Sequence, residues 1–306
     1  CKKRLKIQVR FGHFQWGFFK EVSVYSFWIF LNAIMDRIYW STGQFVLGMF
    51  KGAAVVAVYA VAIQLQAIYM GFSTAISGVF LPKVTAMVTK ENNEKAISDL
   101  FIRTGRIQYI IIAFILTGFV VFGKSFIRLW AGSDYEDAYG ITLCFFIPMT
   151  VPLIQNLGII ILQARNQMKF RSTLYVVLAF VSLVISIPLS KQYGGIGCAI
   201  SIALALTTGQ IIVMNIYYHR VIHIDILDFW KEIGKMSLVP FAIGSLSFYL
   251  FCIYEIHTVQ IFIVCIFAFS CIYVPLFWFF GMTAYEKELF VSPVRRFVVR
   301  LQQNLQ

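Results

Sequence analysis

Apolar residues in this chain arrive in runs of about twenty, the length a helix needs to cross a hydrocarbon core of about 30 Å. Eight such runs are present, at 22–48, 53–81, 106–129, 139–163, 170–190, 195–218, 236–254 and 258–280. They are too long for strands and carry too few charges for a soluble surface. The pattern therefore predicts an all-α polytopic membrane protein with about eight transmembrane helices.

Loops between the runs are short, except 82–105 and 219–235. The first of these is amphipathic and reads as a helix lying on the membrane surface. The longest segment on the other side, Trp130 to Ala138, is too small for a folded domain. Residues 11–20 mix aromatics with glycine and end in Lys20, which suits the headgroup layer. The expected organisation is an interfacial lead-in (1–20), six helices (21–220), a loop (221–235), two additional transmembrane helices (236–281) and a tail (282–306). The basic residues at 1–10 lack the apolar core and cleavage site of a secretory leader. The chain begins at Cys1, so it reads as part of a longer protein.

Composition and charge sharpen this picture. The chain of 306 residues is 59% hydrophobic and 13% charged, against about 45–50% and about 25% in soluble domains. A net charge of +12 could indicate nucleic acid, but its placement argues otherwise. With eight crossings, 21 of the 26 Lys and Arg fall on one side of the membrane and four on the other, Arg37 being left over. That asymmetry is a topology signal, and it puts both ends of the segment in the cytoplasm. Nucleic acid is excluded as a partner, and the bilayer and its anionic headgroups are the expected surroundings.

The polar exception is the first run. Asp36 and Arg37 sit near its middle, Asp36 lying roughly 21 Å along the helix from Val22. A charge there costs roughly 2.5–3.5 kcal/mol and marks a transport path by default. On a helical projection Asn32, Asp36, Trp40, Gln44, Arg37 and Ser41 fall on one half, while Leu31, Ile34, Met35, Ile38 and Phe45 fall on the other. Arg37, with Asn32, Trp40 and Gln44, is the candidate substrate-binding set, because a guanidinium fork suits an anionic group such as phosphate. Asp36 is a candidate for holding Arg37 in place or for exchanging a coupling H+ or Na+. The competing structural reading is that both charges find partners on neighbouring helices and only fix packing.

Other features carry less. Pro148 and Pro152 interrupt the fourth run and are candidate hinge positions or inert kinks. Gln64, Gln66, Gln155, Asn156 and Gln163 can bond a sugar or a neighbouring helix. Six cysteines and four histidines show no metal-ligand spacing, and the cysteines read as packing residues. No metal, no catalytic residue and no cofactor is expected. No nucleotide-binding loop or nucleophile–base arrangement is present, which favours a carrier over an enzyme.

Four segments resemble those of bacterial polysaccharide-unit flippases, the O-antigen transporter proteins of the multidrug/oligosaccharidyl-lipid/polysaccharide exporter superfamily. They are IRLWAGSDYEDA at Ile127–Ala138, VYAVAIQL at Val58–Leu65, YGGIGCAIS at 193–201 and FLPKVTAM at 80–87. The resemblance covers roughly residues 20–220. It implies half of a two-lobed exporter fold, a six-helix second lobe followed by two extra helices, the first run resembling the family's seventh helix. It further implies translocation of an undecaprenyl-diphosphate-linked oligosaccharide (an O-antigen, capsule or exopolysaccharide repeat unit) by alternating access across the bacterial cytoplasmic (inner) membrane. On that view Arg37 is a candidate contact for pyrophosphate or an acidic sugar, and polymerase or export machinery is a candidate partner.

Rival readings differ in what they require. A multidrug exporter of the same superfamily wants an acidic, aromatic cavity, which Arg37 opposes. A peptidoglycan-precursor flippase is expected to carry several cavity arginines. A membrane polymerase or glycosyltransferase needs catalytic residues on a sizeable aqueous loop, and the outer loops are short. A non-transporting scaffold leaves the Asp36–Arg37 pair unexplained.

Overall fold

The apolar runs form helices throughout in a computed structural model, which describes residues 15–90, 94–251, 256 and 258–292. Among them no strand occurs. The helices are α1 (Trp16–Phe50), α2 (Ala53–Lys90), α3 (Glu94–Trp130), α4 (Ala138–Ile154), α5 (Leu157–Ala164), α6 (Met168–Ala205), α7 (Met214–Arg220), α8 (Ile226–Phe251) and α9 (Val259–Phe280). A π-helical stretch, Leu206–Val213, joins α6 to α7, and a short helix covers 284–292.

By length and composition five helices can cross a membrane, or six if α4 and α5 form one bent span. Two of the eight expected crossings hide in that count. The continuous stretch from Met168 to Arg220 reverses at Gly194, whose φ of 61° and ψ of −134° are open to glycine and strained for other residues. Beyond it the chain returns antiparallel. Gly197 lies so close to Leu189 that an added Cβ would meet its carbonyl at 2.1 Å, Leu178 packs on Gly209, and Phe170 stacks on Tyr217 at 4.1 Å. α6 is therefore two arms of a hairpin, as the separate runs 170–190 and 195–218 anticipate. The eighth crossing is α1, long enough but diluted by its polar residues.

Successive crossings alternate in direction, and their contacts show it. Gly43 meets Tyr59, Gln108 meets Ser73 and Phe119 meets Phe146, each pair flanking the turn between two neighbouring helices at similar distances along the chain. The motifs behind the family resemblance acquire physical reasons here. Tyr59, Ala62 and Leu65 make the buried face of α2, and Ile127 and Ala138 close the turn after α3. Arg128 and Lys124 reach across that turn to Glu136, and the Arg128 bond in particular holds this carboxyl below its usual range.

Two expectations need correction. Residues 82–105 are not a separate surface helix: 82–90 continue α2, and Glu94 onward begins α3, so both spans run past the bilayer. The lead-in at 11–20 is not distinct from the first span either, because α1 already begins at Trp16; residues 1–14 lie outside the described residues.

α8 and α9 pack on α3, and a buried charge fastens them. Arg106 donates through Nε to Glu286 Oε1 (2.5 Å), through Nη1 to Glu232 Oε2 (2.7 Å), and through Nη2 to Glu286 Oε2 (3.0 Å) and the Gly281 carbonyl (3.3 Å). Glu286 Oε2 also accepts the Thr283 amide (2.8 Å), a capping-box contact at the start of the last helix. Lys235 neutralises Glu232, so Arg106 is what balances Glu286, itself 2% exposed. Removing one partner of such a buried pair costs about 3–5 kcal/mol. Arg106→Met is therefore expected to lower thermal stability in detergent markedly, and the added substitution Glu286→Gln to restore part of it, both read by unfolding midpoints.

Candidate functional site

The arc of α1 that faces the bundle is fixed by three contacts. Tyr39 Oη donates to the Ile202 carbonyl (2.9 Å), Gly43 sits against the Tyr59 ring, and Ser172 Oγ donates to the Trp28 carbonyl (2.9 Å). Together they lay α1 lengthwise along the α6 hairpin, parallel to its first arm. This rotation splits the polar half of α1. Asn32, Asp36 and Trp40 turn inward and line a cleft of about 300 Å³, whereas Arg37, about 100° round the helix from Asp36, is exposed. Gln44 lies apart from the cleft, in a shallow depression with Phe45, Gly48 and Met49.

The far wall of the cleft comes from α6, with Met168, Arg171 and Tyr175. Arg171 is 5% exposed. Its Nη1 donates to Asn32 Oδ1 (2.9 Å), its Nη2 to Tyr175 Oη (3.3 Å), and its guanidinium lies over the Tyr175 ring. Asp36 and Arg171 are the two charged residues among those lining the cleft. Arg165, Lys169 and Arg171 are three of the 21 basic residues that charge counting puts on one side of the membrane; the structure buries the Arg171 guanidinium in the bundle, three residues into α6. Its signal was available: Arg171, Tyr175, Ser182 and Ser186 repeat at helical spacing and form one polar stripe, which is the face α1 covers.

The floor is the helix break. α4 and α5 bend by 47° across Gln155 and Asn156, one turn beyond Pro152, which lines the cleft, while Pro148 is buried in the core. Proline removes backbone donors, and the broken turn frees carbonyls that need partners. Ser73 Oγ donates to the Leu153 carbonyl (2.6 Å), and Asn156 Nδ2 donates to Ser77 Oγ (2.9 Å) and Ser73 Oγ (3.3 Å). Gln155 pairs with Asn215 (2.8 Å), which also accepts from Trp230 Nε1 (2.9 Å). So Gln155 bonds a neighbouring helix; Asn156 does too, while still edging the cleft with Gln163 and Thr74. Gln66 Nε2 points at Met149 Sδ (3.5 Å), and Gln64 is exposed. Among the described residues no cluster of three or more His, Cys, Asp or Glu is placed to hold a metal ion.

The cleft thus sets one cation, one carboxylate, two aromatic faces and three amides inside an apolar bundle. It can take an anionic group and polar rings together, and it presents no nucleophile–base pair.

The model of a family described as "Polysaccharide biosynthesis protein" matches residues 3–140, which include all of α1. The chain is 22% identical over 174 residues to "Probable flippase AglR" of Haloferax volcanii, a match covering 56% of this chain and 36% of that relative. It therefore spans little more than a third of the relative's length. No solved structure matches. The two matches support the polysaccharide flippase and exporter family read from the four motifs, and the chain is a multi-pass membrane protein.

The rotation of α1 can be checked directly. In a background free of native cysteines, Arg37→Cys is expected to react readily with a small thiol reagent and Asn32→Cys at least several-fold more slowly. Equal rates would mean that α1 is turned otherwise.

Proposed function

We propose that the chain is the second lobe, with two further helices, of a carrier that moves a lipid-linked oligosaccharide across the membrane, and that the cleft between α1 and α6 holds the diphosphate end of that lipid. The observation that carries this reading is Arg171, a permanently charged fork held by Asn32 and Tyr175 in the interior of an apolar bundle. Trp40 and Tyr175 offer faces to sugar rings, and Asn32, Asn156 and Gln163 offer hydrogen bonds.

Arg37 keeps a role on this reading. It is exposed together with Gln64, Ala67, Gly71, Thr74 and Gly78 of α2, small and polar residues at helical spacing. Such a face suits a hydrated path or a second lobe better than lipid. Arg37 and Gln44 would then meet the substrate between lobes, outside the cleft. The lipid would be undecaprenyl diphosphate carrying an O-antigen, capsule or exopolysaccharide unit. The step would be alternating access in a bacterial inner membrane, with the break at Gln155–Asn156 and the prolines before it as the moving element, driven by H+ or Na+. Polymerase or export machinery would receive the product. No chemistry on the substrate is needed, so the protein acts as a carrier and not as an enzyme.

One rival has an observation in its favour. Asp36 beside Trp40 and Tyr175 is also what a cationic drug would use, although Arg171 repels it. Both readings meet the same experiment, with full-length protein in liposomes and a fluorescent lipid-diphosphate oligosaccharide. Arg171→Ala is expected to reduce transfer by at least tenfold and Arg171→Lys to retain part of it, at equal protein levels. Arg37→Ala is expected to cost less than Arg171→Ala. Wild type that moves no such lipid but effluxes cationic dyes would establish the rival.

A further inference from the structure

Asp36 and Arg171 face the same cleft, yet neither is the other's hydrogen-bond partner. Arg171 gives its bonds to Asn32 and Tyr175, and Asp36 lines the cleft one helical turn from Trp40. The charges interact across the gap. Asn32 and Asp36 are one turn apart on α1, so the carboxylate stands one turn further along the helix than the amide that Arg171 grips. Two donors at this junction, Arg171 Nε and Asn32 Nδ2, are buried with no acceptor. Buried donors are normally satisfied, so an unpaired pair beside a cation points to an acceptor that arrives from outside.

We propose that Asp36 is the stand-off counter-anion of Arg171: it balances the guanidinium while the cleft is empty and repels a bound phosphate enough to let it go. The inference rests on the reading of the cleft as an anion path and assigns Asp36 the regulation of that path. An unbalanced guanidinium in a dry bundle is costly, which Asp36 relieves at a distance. A directly bonded carboxylate would occupy the donors that the substrate needs. A site with no carboxylate would hold phosphate too well, and transport requires binding favourable enough to load and weak enough to release. This differs from a coupling site, where Asp36 would itself take up H+ or Na+ and the gradient dependence would reside in it.

The test uses the full-length protein in nanodiscs, with farnesyl diphosphate as a sugar-free probe titrated by calorimetry, and lipid-oligosaccharide transfer measured in liposomes. Asp36→Asn is expected to bind the probe roughly tenfold more tightly, about 1.4 kcal/mol, while transferring lipid more slowly and keeping its response to an imposed ion gradient. Asp36→Ser removes the same charge with a smaller side chain and is expected to shift affinity in the same direction. Unchanged or weaker binding in both variants overturns the counter-anion role. So does loss of gradient dependence at unaltered affinity, which is the signature of a coupling site. If wild type binds no farnesyl diphosphate, the anion-path reading itself fails, an outcome distinct from a failure of Asp36 alone.

Discussion

A guanidinium cannot shed its proton inside a membrane protein, and Arg171 is nearly sealed from solvent. The surrounding structure has to answer that charge. α1 answers it with the carbonyl oxygen of Asn32, α6 with the hydroxyl and ring of Tyr175, and the space opposite with the carboxylate of Asp36. The contributions of Asn32 and Asp36 depend on the rotation of α1, which Tyr39 and Gly43 hold against the second arm of the hairpin and against α2. The hairpin in turn exists because the chain can reverse at Gly194. A local backbone property thus determines which residues of a polar helix reach the cleft.

The second dependence runs through the break between α4 and α5. Leaving backbone carbonyls free at membrane depth is tolerated where protein groups satisfy them; Ser73 does so here for Leu153, and Asn156 Nδ2 in turn bonds the Ser73 and Ser77 hydroxyls. The same break carries Gln155 to Asn215 and Trp230, tying the floor of the cleft to α8. α8 and α9 are held to α3 by the Arg106 clamp, so they are bonded parts of the bundle. Motion at the break would be felt at the start of α8.

Much of the fold was legible because the bilayer imposes a length on apolar runs. The eight runs, their alternation and the turn at 193–197 all follow from that constraint and from glycine. The site was only half legible. A projection of α1 separates polar from greasy residues, but it cannot say which part of the polar half faces the bundle, since Tyr39 and Gly43 make that choice through contacts with residues far along the chain. Arg37 and Asp36 are adjacent in sequence and face differently for that reason. Arg171 was overlooked as a site residue because charge counting treats any arginine near a span end as part of the topology signal. Its stripe with Tyr175 and Ser182 is the better guide. The Arg106 clamp needs Glu232 and Glu286, both remote in sequence, and no local pattern announces it.

The most direct test is a structure of the full-length protein in a lipid nanodisc with a polyprenyl-diphosphate oligosaccharide bound. The expected result is phosphate density at hydrogen-bonding distance from the Arg171 guanidinium, with Asn32 at its side and sugar rings toward Trp40. Diphosphate held elsewhere, with the α1–α6 cleft empty or closed, would contradict the assignment of this cleft as the anion path.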